Sequence, residues 1–110
     1  MKTGRIRRRP EAIEDLVAHA KFYVEQGAPE TAVRFLEAAD TTFKFLSGRP
    51  SIGHRWESPH PRLQDVRVWH IKGFDKYLVF YRPLKGGIDL LHVFHGAQDI
   101  AAILAEENDA

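Results

Sequence analysis

Residues 77–99 read YLVFYRPLKGGIDLLHVFHGAQD, and this stretch decides the fold. Two apolar runs, LVFY and IDLLHVFH, flank Lys85, Gly86 and Gly87. The paired glycines supply the positive backbone dihedrals of a tight connection, so the stretch predicts an antiparallel hairpin. Strand periodicity sets Tyr77, Val79 and Tyr81 on one face and Leu78, Phe80 and Arg82 on the other. Both faces are largely apolar, which predicts a central strand.

Immediately upstream, Asp65 to Ile71 (DVRVWHI) is rich in β-branched and aromatic residues and predicts a third antiparallel strand, joined through a short loop at Lys72 to Asp75. Downstream, Ile100, Ile103 and Leu104 predict a short helix, with the acidic end EENDA fraying from it. Between Arg49 and Leu63, Pro50, Gly53, Pro59 and Pro61 break any periodicity. This segment reads as a loop anchored by Trp56, either a recognition loop or a plain connector.

The first half is helical. Ile13, Leu16, Val17, Ala20 and Val24 recur at helical spacing after Pro10, with Glu11, Glu14 and Asp15 near the positive end of the dipole and Gln26-Gly27 closing the helix. From Pro29, Ala32, Phe35, Leu36, Ala39, Phe43 and Leu46 repeat the pattern until Ser47, Gly48 and Pro50. The short connection makes these helices an antiparallel hairpin that needs a sheet to cover. Residues 2–9, KTGRIRRR, carry Lys2, Arg5, Arg7, Arg8 and Arg9. They read first as a basic edge strand, with contact to phosphate or an acidic partner as the other role. The order β-α-α-β-β-β-α predicts one α+β domain over 1–110, a helix hairpin on one sheet face and a concave polar and aromatic surface on the other, open to a partner. Which edge takes the first strand is left open.

Lysine and arginine number 16 against 15 aspartates and glutamates, for a net charge of +1, which argues against a general nucleic-acid binder. Cysteine is absent, so thiolate metal sites and disulfides are excluded and a reducing cytoplasm is compatible. No apolar run approaches the roughly 18 residues of a membrane span, and Pro10 and Glu11 follow the basic start where a signal peptide would have an apolar core. The expectation is a cytoplasmic protein with no membrane partner and no cofactor.

The chemical candidates are His70, His92 and His95 with Arg62, Arg67 and Arg82. His92 and His95, three apart on a strand, point to opposite faces, which disfavours a shared metal ion. His95 with Arg67 or Arg82 meets the formal needs of acid–base catalysis at a phosphate, but so does a hydrogen-bonded structural histidine beside arginines. Neither a Ser/His/Asp set nor a phosphate loop is present.

The segment VRVWHIKGFDKYLVFYRPLKGGIDLLHVFHGAQDIAAIL resembles the C-terminal half of ParE toxins of type II toxin-antitoxin modules, in the wider RelE/ParE superfamily. PEAIEDLVAHAKFYVEQGAPETAVRFLEAADTTFKFLSGRPSIG is similar to that family's helix hairpin and Pro-x-x-Gly turn. The most specific pieces are Phe80-Tyr81-Arg82 and His95-Gly96-Ala97-Gln98-Asp99-Ile100, against a family pattern near V-x-H-G-A-R-D. The chain departs from it at His92 and Gln98, where the family usually carries arginine, so two fixed positive charges are missing.

The resemblance implies a toxin that is not an enzyme, binds and poisons DNA gyrase, and is neutralised in a hetero-oligomer by a cognate ParD-like antitoxin whose disordered segment wraps the domain. It implies no direct sequence-specific nucleic-acid binding. Arg67, Trp69, Tyr77, Arg82 and His95 are the expected partner contacts, with burial as the competing role for Tyr77. The alternative on the same scaffold is a RelE-like ribosome-dependent mRNA endonuclease, whose catalytic candidates would be His95, Arg67 and Arg82. A third reading is a non-toxic remnant that only binds its antitoxin.

Overall fold

A computed structural model describes residues 3–58 and 60–109; Lys2 of the basic tract, Pro59 of the loop and Ala110 of the acidic end lie outside the described residues. The elements are β1 (Arg5–Arg8), α1 (Pro10–Glu25), α2 (Pro29–Gly48), β2 (His54–Arg55), β3 (Arg67–Ile71), β4 (Phe74–Leu84), β5 (Gly87–His95) and α3 (Ile100–Asp109). A single five-stranded sheet runs β1-β5-β4-β3-β2. β4 is its centre, as its two apolar faces require. β1 takes the β5 edge in parallel register, and all other neighbours are antiparallel.

The two glycines of the hairpin turn serve different ends. Gly86 has φ +77, the left-handed conformation that favours glycine. Gly87 does not; it is glycine because β1 lies against it. A Cβ there would fall 2.7 Å from the carbonyl carbon and 2.8 Å from the nitrogen of Arg5, and closer still to its oxygen. The same residue pair that closes the hairpin therefore also admits the parallel edge strand.

The sheet is buried on both sides. Toward the helix hairpin, Tyr77, Val79, Tyr81, Ile88, Leu90 and Val93 pack under Ala12, Phe35, Ala39, Phe43 and Leu46. On the other face Phe80 and Phe94 are covered by Leu63, Val66, Ile100 and Leu104. This corrects the expectation of an uncovered concave face: Phe80 and Phe94 are too apolar to leave wet, and α3 with the 56–66 segment closes over them. The acidic end does not fray before Asp109; it forms the last turns of α3.

Register explains the unbroken run IDLLHVFH. Phe80 pairs with His92 and Tyr81 with Leu90, so Leu91 is an extra, bulged residue. The alternation resets there, which sends Ile88, Leu90, Val93 and His95 to the helix side and Asp89, His92 and Phe94 to the other.

The helix stripes need one correction. On α1 the covered side is Ala12, Asp15, Leu16, His19 and Tyr23, while Ile13, Val17 and Val24 are 46%, 60% and 53% exposed. Polar residues displace the expected apolar ones because β1 covers β5 only as far as Leu90. Beyond it α1 crosses the sheet edge and must satisfy the backbone of Val93. Asp15 Oδ2 accepts the Val93 N–H at 2.9 Å and His19 Nε2 donates to the Val93 carbonyl at 2.8 Å, an i, i+4 pair standing in for the missing strand. On α2, Thr42 and Ser47 are buried for the same reason: they accept from the N–H groups of Lys72 and Gly4.

The 49–63 segment is more ordered than a plain loop, with β2 and a single 3-10 turn at Pro61–Leu63. Trp56 is its anchor, edge-on to Phe80 with ring centroids 5.1 Å apart. Buried Tyr81 holds its start, donating to the Pro50 carbonyl at 2.8 Å and accepting from Gly53 N–H at 2.9 Å. Burial pushes the Tyr81 hydroxyl pKa up, so it stays a donor at any physiological pH. Tyr81→Phe strands both backbone partners and is expected to cost about 2 kcal/mol, measurable as a lower denaturant midpoint.

Candidate partner-binding site

The structure separates the residues proposed for catalysis. Arg67 pairs with Tyr81, and His95 with Tyr77. They share the helix side of the sheet but stand four residues apart, about 13 Å along the strands and about 10 Å across two strand spacings. Arg82 is on the opposite face. No reacting atom can lie within hydrogen-bond reach of all three.

Each has another task. Arg67 Nη1 donates to the carbonyls of Ser51 and Gly53 at 3.0 and 2.8 Å. Arg82 donates to the carbonyls of Gln64, at 3.2 Å, and of Arg62. The two guanidiniums thus clamp the two ends of the 51–64 segment from opposite faces of the sheet. His95 Nδ1 accepts the Ala97 N–H at 3.0 Å, and its ring stands edge-on to Tyr77. Gln98 Oε1 accepts the His95 N–H at 2.7 Å and Asp99 Oδ1 accepts the Ala102 N–H at 3.2 Å. HGAQD is therefore a strand-to-helix junction with Asp99 capping α3. Arginine, which has no acceptor, would not make the bond that Gln98 makes to the His95 N–H.

Of the expected contact residues, Tyr77 is core: it is 6% exposed and ringed by His19, Phe35 and Phe74. Trp69 is half-buried between Phe45 and His54. It lines an apolar groove of about 530 Å³ with Thr41, Phe45 and Lys72. His70 donates from Nδ1 to the Asp75 carbonyl at 2.8 Å.

His92 is bonded through both ring nitrogens, to partners that the sequence did not reveal. Its Nδ1 lies 2.7 Å from Asp15 Oδ2, and its Nε2 lies 2.8 Å from Glu107 Oε1. The ring stacks on Phe94. Burial works to lower its pKa, but the bonds to Asp15 and Glu107 outweigh it and raise the value above the usual 6.5. Both ring nitrogens are occupied, so the imidazole has none left for substrate. Beside it, Arg9 grips the buried carboxylate of Asp89 through two bonds of 3.0 and 2.8 Å, fixing the start of α1 to β5. Among the described residues no group of three His, Asp or Glu is arranged to hold a metal ion, and no helix is long and apolar enough to cross a membrane.

Among the charged residues that the helix hairpin exposes stand several large apolar ones. Ile13, Val17 and Val24 fall along one face of α1, and Val33 and Leu36 on α2 are 55% and 43% exposed, so both helices offer apolar side chains to a partner.

The fold is similar to that of a chain of the "Chromosomal ParDE TA system from P. aeruginosa". The likeness has a TM-score of 0.68 at 20% identity and covers 84% of this chain and 96% of that one. No curated protein matches the chain. Residues 6–100 match the ParE toxin of type II toxin-antitoxin systems, parDE, and the chain belongs to that family.

Proposed function

We propose that the protein acts by binding: as the toxin of a type II pair it inhibits DNA gyrase inside the cell, and a cognate ParD-like antitoxin neutralises it in a hetero-oligomer. The observation that carries this over the endonuclease alternative is the scatter of His95, Arg67 and Arg82 over two faces and opposite ends of the sheet. A nuclease would need them to converge on one phosphate. The antitoxin's wrapping segment would take the exposed apolar surface of α1 and α2, and Trp69 would contribute through its groove beside Phe45. Tyr77 is withdrawn as a contact because it is core. Arg67 and Arg82 contribute by holding the 51–64 segment in place, and His95 by setting the α3 junction.

Val17→Glu combined with Leu36→Glu places charge on that surface without touching the core. Antitoxin affinity is expected to fall about 30-fold or more, with the thermal midpoint nearly unchanged. Isothermal titration against the purified antitoxin reads this directly; unchanged affinity would move the interface off the hairpin. Expressing the chain with and without its antitoxin, and assaying supercoiling and message cleavage separately, tests the activity itself.

A further inference from the structure

We infer that α3 is a protonation-gated strap: it is held across the second face of the sheet through His92, and it loosens when His92 gives up its proton. The inference is independent of how the protein meets its partners.

The geometry joins three elements at one imidazole. Asp15 comes from α1, His92 from β5 and Glu107 from the last turn of α3. With both nitrogens protonated, His92 donates to both carboxylates at once. A neutral ring carries one N–H and can serve only one of them. Asp15 is also fixed by the Val93 N–H, so it keeps the remaining donor. Glu107 then faces a bare lone pair, and its side chain, 40% exposed, turns to water.

The packing of α3 makes that loss matter. Its apolar hold is Ile100, Ile103 and Leu104 near its start, and Glu107 is its polar tie further along. Solvent-open grooves border it. One of about 500 Å³ lies between Ala101, Ala105 and the residues Trp56, Ser58 and Pro61. Another of about 210 Å³ lies between Glu107, Arg9, Arg82 and His92. Bordered by open grooves, this part of the helix has few packed neighbours to hold it once the tie is lost.

The charges facing His92 fix the direction. α1 supplies Asp15 and, lining the same groove, Glu11; α3 supplies Glu107. Arg9, at the start of α1, is neutralised by Asp89 of β5, while Arg82 of β4 is turned to the carbonyls of Arg62 and Gln64. The two carboxylates in direct contact therefore dominate and favour the imidazolium. Because the folded-state pKa is raised, the stabilisation is fully present below the unfolded value of about 6.5 and is lost as pH rises through the folded value.

Hydrogen exchange of the full chain, read on the α3 amides and corrected for intrinsic rates, tests this. Wild-type protection over the α3 turn that carries Glu107 is expected to fall about tenfold or more from pH 6 to pH 9 while the β4 and β5 amides hold steady. Glu107→Gln, whose amide can accept from the imidazolium or donate to the neutral ring, should show pH-independent α3 protection with an intact core, and His92→Arg, a fixed cation, should show high, pH-independent protection. Flat wild-type protection, or a pH response that survives in Glu107→Gln, overturns the inference.

Discussion

Replacing Phe35 with alanine is expected to destabilise the protein by about 4 kcal/mol, a fall in thermal midpoint of roughly 15 °C for a chain of this size. Phe35 is fully buried and is the hub of the aromatic cluster between the helices and β4. Its ring centroid lies 4.7 Å from Tyr77, 5.4 Å from Phe74 and 6.0 Å from both Tyr23 and His19. Those partners come from α1 and β4, so no single side-chain movement fills the space, and the cavity cost adds to the lost transfer energy. Leu36→Ala, one residue on and 43% exposed, is the control and should cost under about 1 kcal/mol. Denaturant titration of both variants is the measurement; a Phe35→Ala loss no larger than that of Leu36→Ala would mean the hairpin does not pack as described.

Gly87→Ala is expected to cost about 3 kcal/mol, against about 1 kcal/mol for Gly86→Ala. Gly86 needs its left-handed backbone, but a methyl group there meets nothing within 4 Å. At Gly87 the methyl would drive into the Arg5 backbone, and neither β1 nor β5 can yield without breaking the parallel ladder. Arg5 N–H donates to the Gly86 carbonyl at 2.8 Å and Arg9 N–H to the Leu90 carbonyl at 3.1 Å. The loss should therefore appear first in β1, as accelerated amide exchange at Arg5 and Arg7. If Gly86→Ala proves the more damaging, the turn and not the edge strand governs this corner.

That pair of glycines shows what sequence carries and what it does not. Alternation in residues 77–84 made β4 legible as a central strand, because both faces of that strand are buried and both periods are visible. The second reason for Gly87 was invisible, since it lies in a strand some 80 residues earlier that could have joined either edge. Periodicity misplaced α1 for a related cause. It counts apolar residues and so selected Ile13, Val17 and Val24, whereas the sheet needed the polar Asp15 and His19 to close the Val93 backbone. The exposed residues it misassigned are the ones now available for a partner.

The candidate site was legible as chemistry and not as geometry. Arg67 and Arg82 were rightly read as strand arginines, but their carbonyl partners lie in a segment without periodicity. His92 was visible as a departure from the family's usual arginine. Its link to Glu107 was hidden because the acidic end was expected to fray, and only the closure of α3 over Phe80 and Phe94 brings the carboxylate to the ring.

The central claim is that this member of the ParE toxin family works by binding gyrase, without a catalytic step. Purified protein added to a gyrase supercoiling reaction, alongside a ribosome-bound message, tests it most directly. Supercoiling should stop, recover when the antitoxin is added in equimolar amount, and leave the message intact. Unimpaired supercoiling together with cleavage of the message that disappears in His95→Ala would contradict it.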